Sequence, residues 1–263
     1  MSAPTDRRSG NRGWAMTEKF DIPPDEGGEA PEGSAEPQTI PAAELEQILE
    51  KHREWLESKG ENGQKANFHR AFLQDAYFQG AALRGANFSQ ASLHGAEFQN
   101  ANLYKADLSQ TNLQHASLQK TNLREANMEG ATLIQANLQS ADLRKANLRH
   151  ADLRDADLLE SRLEDADLEG ANCKGANFFL ADLRRANCKE INLQEVDLQG
   201  GDLSEADLSS AQVQDARLPG VEMIGTRLQA ADFLDALGLT RKQTDEAETD
   251  ELTRFPSYLT DGP

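Results

Sequence analysis

The sequence predicts an all-β solenoid, a stack of short units in which each layer packs only on its neighbours. Three observations carry this. A small residue, usually alanine, recurs at every fifth position from Ala66 to Ala236. A larger apolar residue follows two places after each one: Phe68, Leu73, Phe78, Leu83, Phe88 and onward to Phe233. The 34 consecutive pentads contain no insertion or deletion. A period of five matches neither the helical turn of about 3.6 residues nor the alternation of about two along a strand, and a short fixed period marks a repeat architecture.

Residues 1–40 are rich in Pro, Gly, Glu and Ser and poor in apolar side chains. Such a segment buries too little surface to offset its ordering entropy, so it is expected to be a disordered tail, acidic after Asp21. Met1 and Met16 are both plausible starts, because TEKFDIPPDEGG reads as a natural beginning. Residues 41–60 read as a capping helix: Pro41 suits a first turn, Glu44 and Glu46 favour the positive end of the helix dipole, and Gly60 is a stop. Leu45, Ile48, Leu49, Trp55 and Leu56 share one stripe. His52 falls on the same stripe, where a packed histidine at the junction of helix and solenoid is expected rather than a ligand. The repeats fill 61–237, and 238–263 read as a C-terminal helical cap opening at Thr240, with Gln243 at the reciprocal capping position. Its stripe is thin (Leu239, Ala247, Leu252, Phe255), and a cap and a homodimerisation element both fit it.

Between the two apolar positions of each pentad stands mostly Asp or Asn, as in Asn67, Asn87, Asn102 and Asp107. The stretch ADLRKANLRHADLRDADL (141–158) resembles the pentapeptide-repeat family, whose consensus is A-(D/N)-L-X-X. The resemblance covers about two-thirds of the chain. It implies a right-handed, quadrilateral (four-sided) parallel β-helix, with one pentad per side, 20 residues per coil and about 8.5 coils. In that arrangement the small and large apolar side chains point inward and the other three face water. At a ladder spacing of ~4.8 Å the rod would be on the order of 40 Å long.

With a 20-residue coil, positions that agree modulo 20 stack on one another. One column reads Gln79, Gln99, Gln119, Gln139, Leu159, Phe179, Gln199. The glutamines are expected to form an amide ladder, and Leu159, Phe179 and the adjoining Leu180 an exposed apolar patch for a partner. The next side stacks a basic stripe of Arg84, Lys105, Arg124, Arg144, Lys145, Arg184 and Arg185 around Tyr104, interrupted by Glu125, Glu164 and Asp165. Such a stripe meets phosphate or an acidic partner, or is relieved by salt bridges within the rod. The column Asn67, Asn87, Asp107, Asn127, Asn147, Asp167, Asn187, Asp207 mixes amide with acid, which keeps carboxylates from stacking ~5 Å apart. Cys173 and Cys188 take large inward positions as small hydrophobes, with Ile191 and Val196 restoring volume nearby.

The formal charge of −18 disfavours direct contact with nucleic acid or an anionic membrane. No apolar run approaches the length of a membrane span, the N-terminus lacks the apolar core of a secretory signal, and two cysteines make no disulfide framework. A cytoplasmic protein is expected. No P-loop, GxGxxG, HExxH, GxSxG or CxxC motif is present. His69, His94, His115 and His150 all fall at outward positions, with His94 and His115 on neighbouring coils. No catalytic, cofactor or metal site is assigned, and the leading expectation is a non-catalytic scaffold that binds a protein partner. The alternative, implied by the resemblance, is a DNA-mimicking modulator of a type II topoisomerase of the quinolone-resistance kind. The basic stripe speaks against so uniform a negative surface. An enzyme stands third.

Overall fold

The structure, a computed structural model, describes residues 38–260. From Asn67 onward, residues 20 apart pair in parallel as single-residue bridges: Asn67 with Asn87, Phe72 with Ser92, Tyr77 with Glu97, Ala82 with Asn102, and so on along the rod. The bridges stay single because a turn follows in every pentad. The chain forms a β-helix solenoid with almost no extended strand.

The pentad explains itself through its five backbone N–H groups, seen in Ala86–Asn87–Phe88–Ser89–Gln90. Ala86 N–H closes the preceding turn on Leu83 O (3.1 Å), and Asn87 N–H donates down to Ala66 O (3.0 Å). Phe88 and Gln90 donate up, to Asp107 O (2.7 Å) and Ser109 O (2.9 Å). Only the N–H of Ser89 finds no carbonyl, and the Asn87 side-chain Oδ1 accepts it at 2.9 Å. The Asp or Asn of the repeat is therefore an Asx turn that completes the hydrogen bonding of its own pentad.

The turn has a further requirement. Its second central residue has a positive φ in every pentad, from Arg70 (57°) to Asp235 (61°), as a type II turn demands. Glycine takes this place at nine positions in the repeats, Gly80 and Gly225 among them; elsewhere a polar or charged residue, or at Leu180 and Ala230 an apolar one, holds the left-handed conformation.

The inward residues are buried throughout, from Ala66 to Ala236. At the N-terminal end Phe68 stacks on Phe88 (ring centroids 4.7 Å) and Phe78 on Phe98 (4.8 Å), and the two stacks meet edge to face. The two intervening sides carry Leu73, Leu83, Leu93 and Leu103, so aromatic and aliphatic sides alternate around the core. Farther along, Phe178 lies in the run Cys173, Phe178, Leu183, Cys188, all fully buried. The two small thiols offset the large ring within one coil's length of chain, in addition to the compensation expected from Ile191 and Val196. Burial pushes the Cys188 thiol up to about 12 and that of Cys173 well above its ordinary value, so neither is a thiolate at neutral pH.

The N-terminal end is covered by two elements. Strand β1 (Gln38–Thr39) pairs in parallel with β2 (Ala71–Phe72), and Ile40 packs against the core. This corrects the expected extent of the disordered tail. Gln38 and Thr39 pair here because the first coil has free backbone groups for a strand to satisfy; residues 1–37 lie outside the described residues. Helix α1 (Ala42–Glu57) is one residue shorter at its start and three at its end than the sequence suggests, with Pro41 as N-cap and Ser58 as C-cap. Leu45, Ile48 and Leu49 lean on the core, and His52 is the one fully buried residue of α1. Its Nδ1 accepts the N–H of Ala66 (3.0 Å), the first residue of the first pentad, and its ring stacks on Trp55 at 5.6 Å.

At the other end the structure departs from a purely helical cap. Helix α2 (Arg241–Asp245) has the expected capping box between Thr240 and Gln243, but it is only five residues long. The ladder then resumes with its register stretched: Arg227 pairs with Glu248 and Asp232 with Arg254. Helix α3 (Ser257–Thr260) follows. Within the region expected to be a helical cap, residues 238–260 are thus a degenerate last coil, because the last regular coil exposes N–H and C=O groups that a helix alone would leave unpaired. Gln243 sits where a central leucine would be and donates from Nε2 to Leu218 O (3.2 Å) and Val221 O (2.9 Å). Phe255 stacks on Phe233 (5.9 Å), and Tyr258 Oη donates to Ala236 O (2.9 Å).

Candidate functional site

The three apolar residues singled out in the sequence do come together on adjoining coils. Leu158 N–H donates to Asn177 O (2.7 Å) and Glu160 N–H to Phe179 O (2.9 Å), which sets Leu159 beside Phe179. Their turns are fixed by Asx acceptors: Leu159 N–H donates to Asp157 Oδ1 (3.2 Å) and Phe179 N–H to Asn177 Oδ1 (3.1 Å). The patch is less exposed than expected. Leu159 and Phe179 are half-buried, because the first turn position lies close to the coil; of the three only Leu180 is exposed, at 47%. Leu180 has φ 57° and lies along the rod over Gly200, where a Cβ would come within 2.8 Å of its Cδ2. No other left-handed turn residue of the solenoid is a large aliphatic.

The glutamine column does not form the expected ladder. No amide–amide bond joins Gln79, Gln99, Gln119 and Gln139 among the described residues, and Oε1 of Gln99 and Gln119 is buried without a partner. Gln139 donates instead to Asp157 Oδ2 (2.5 Å), because a carboxylate is the stronger acceptor within reach. The amide ladders run along the Asx columns: Asn147 Nδ2 donates to Asn127 Oδ1 (3.0 Å), Asn127 to Asp107 (3.3 Å) and Asn187 to Asp167 (2.9 Å). Each bond runs from the later coil to the earlier, so an aspartate serves only as an acceptor where a ladder ends.

The basic stripe is present and largely paired within the rod. Arg84 and Lys105 lie over the Tyr104 ring (5.3 and 5.4 Å to its centroid), and Lys105 also meets Glu125 at 3.4 Å. Arg144 pairs with Asp142 (2.5 Å), Arg184 with Asp182 (2.6 Å), and Arg185 with Asp165 (2.7 Å). The hydrogen bond and charge of Arg185 hold the Asp165 carboxyl below its usual range. The side chains of Arg124 and Lys145 have no ion pair among the described residues. The acid Glu164 organises this side: it is buried, and its Oε1 lies 3.3 Å from Arg162 and 3.6 Å from Arg184, while Oε2 has no hydrogen-bond partner. Its place in a column of arginines was the signal for this role.

Sequence reasoning missed three exposed apolar residues towards the C-terminal end: Ile224, Leu237 and Tyr258 are all more than half exposed, as is Leu252 of the expected C-terminal stripe. Ile224 and Leu237 fall at outward positions of their pentads, which was legible. Among the described residues no group of three or more His, Cys, Asp or Glu side chains could hold a metal ion, and no helix is long and apolar enough to cross a membrane.

The chain matches the family described as pentapeptide repeats in 8 copies, over residues 71–110, 111–149, 146–185 and 186–223. Among solved structures it is similar to HetL, a pentapeptide repeat protein involved in heterocyst differentiation regulation from the cyanobacterium Nostoc sp. strain PCC 7120. The two share 30% identity over 70% of this chain and 77% of that one, with a TM-score of 0.32. A thylakoid-lumen pentapeptide repeat protein of Arabidopsis thaliana shares 29% identity over 40% of this chain and 72% of its own, with a TM-score of 0.39. QnrB1, a plasmid-mediated fluoroquinolone resistance protein, shares 14% identity over 72% of this chain and 92% of its own, also with a TM-score of 0.39. No curated protein sequence gives a significant match. With repeats matched over more than half its length, the chain belongs to the pentapeptide repeat family, and its solenoid is the right-handed β-helix of that family.

Proposed function

We propose that this protein is a non-catalytic scaffold, a four-sided rod of about 8.5 coils whose contact site for a protein partner is the Leu159–Phe179–Leu180 patch. Leu180 carries the reading. A large aliphatic side chain is exposed to water there on the left-handed position of the turn, where the other turns of the rod place a polar residue, a glycine or, at Ala230, a single methyl group. Rigid hydrogen bonding beneath it gives a partner a preformed surface. A cytoplasmic location and a homodimer through the C-terminal segment, where Leu252 and Tyr258 are exposed, are parts of the same proposal.

The test is affinity purification of a partner with the wild-type chain and with Leu180→Asp. The substitution should abolish capture while circular dichroism and melting temperature stay unchanged; retention of the partner by the variant removes the patch from the reading. The second reading, a modulator of a type II topoisomerase, draws support from the net charge of −18. Neither inhibition nor protection of DNA gyrase in a supercoiling assay would dispose of it.

A further inference from the structure

The two histidines that sequence analysis set on neighbouring coils meet in the fold. His94 and His115 are both exposed, and their rings approach edge to face with centroids 5.2 Å apart. Their backbones are fixed by the ladder, His94 O accepting from Asp75 N–H (2.9 Å) and His115 N–H donating to Ile134 O (3.1 Å). His115 stacks above Gly95, which is joined to His94 in the chain. Gly95 has no side chain, and Asp75 Oδ1 from the coil below occupies the space its Cβ would need. Two imidazoles therefore share one small area of one side of the rod.

We propose that His94 and His115 bind a divalent transition-metal cation, one nitrogen from each ring, with water filling the remaining positions. A cation ~2.1 Å from one nitrogen of each imidazole, at a near-tetrahedral angle, places the ring centres roughly 5 Å apart. The rings already stand at that separation on rigid backbone, so binding requires rotation about side-chain bonds and no movement of the coils. Exposed imidazole pairs prefer cupric ion over the other first-row divalent cations. The other described histidines are placed differently: His52 is buried, His69 Nδ1 is bonded to Ser89 Oγ (2.8 Å), and His150 lies singly over Gly170.

The test titrates the full chain with cupric chloride in a non-coordinating buffer, followed by calorimetry and by electron spin-echo spectroscopy for imidazole nitrogens. One equivalent should bind with two imidazoles. His94→Asn and His115→Asn should each weaken binding at least tenfold and leave one imidazole signal, and His150→Asn should change nothing. Wild-type affinity in both the His94 and His115 variants, or a spectrum with one imidazole in the wild type, overturns the proposal. Circular dichroism of each variant separates loss of ligand from loss of fold.

Discussion

Pro219 stands two residues after Arg217, in a pentad where the usual Asp or Asn is missing and the N–H that it would accept is missing too. Elsewhere that N–H is held by the side chain, as Arg149 N–H is by Asn147 Oδ1 (3.1 Å). Pro219 removes the donor and its ring pre-sets the first central residue of the turn. Pro219→Ala should destabilise the protein by about 1 kcal/mol, through a freed N–H and a more flexible unfolded chain. Adding Arg217→Asn to that variant should recover most of the loss. Thermal unfolding of the two variants checks it, and a double variant no more stable than Pro219→Ala would show that the Asx turn is not what the proline replaces.

The left-handed residue at each turn makes a second prediction. Lys120 has φ 57°. A β-branched side chain is strained there, so Lys120→Val should cost on the order of 2 kcal/mol, whereas Lys120→Gly should be neutral or slightly stabilising. Denaturant midpoints of the two variants provide the comparison. Equal stability for both would refute the assignment of the turn.

The fold was legible because one constraint repeats: Ala and Leu or Phe every five residues leave no other packing. The turn conformation was also written in the sequence but harder to see. No Val, Ile, Thr or Pro occurs at any last position from Arg70 to Asp235, and an absence is noticed only once the φ angle explains it. The surface was less legible. Stacking modulo 20 placed Leu159, Phe179 and Leu180 together, but the first turn position hugs the coil and half-buries two of them. The basic stripe was found as a column, yet its partners Asp142 and Asp182 lie in the neighbouring Asx column, so reading one column at a time overstated its free charge. The C-terminal coil escaped because its register stretches, and periodicity cannot follow a ladder whose step changes.

His52 predicts a pH dependence confined to the helix that covers the first coil. Burial, assisted by the charge of Lys65 and weakly opposed by the backbone of Arg84, lowers its value to about 4 from an ordinary 6.5. The denatured chain therefore takes up the proton first as pH falls. Stability from neutral His52 is complete above about pH 6.5 and is lost between there and about pH 4, by up to roughly 3 kcal/mol or until α1 undocks. The acids held low by arginines, such as Asp165, titrate below that window. Hydrogen exchange of residues 42–64 should accelerate from pH 6.5 to 4 beyond its intrinsic chemical dependence, and His52→Gln should remove that excess. An excess that persists in the variant assigns it to another group. Gly63→Ala should undock α1 at any pH, because its Cβ would strike Lys51 O and approach Trp55 N at 2.6 Å.

Hydroxyls at the small inward position separate into two kinds. Thr111, Thr121 and Thr226 each donate to the carbonyl of a central residue one coil below, as Thr121 does to Phe98 O at 2.8 Å. Ser161 occupies the same kind of site, yet its Oγ is buried without a partner. An unpaired buried hydroxyl costs about 1–3 kcal/mol, while a paired one contributes about 1 kcal/mol. Ser161→Ala restores the residue most often found there and should stabilise the rod by about 1 kcal/mol. Thr121→Ala should destabilise it by a similar or larger amount, since a bond and two buried heavy atoms disappear together. Melting temperatures should therefore move in opposite directions for two substitutions that both end in alanine. A fall in both would mean that Ser161 has a partner, such as a buried water, and that the small position of these coils tolerates a hydroxyl wherever one can be satisfied.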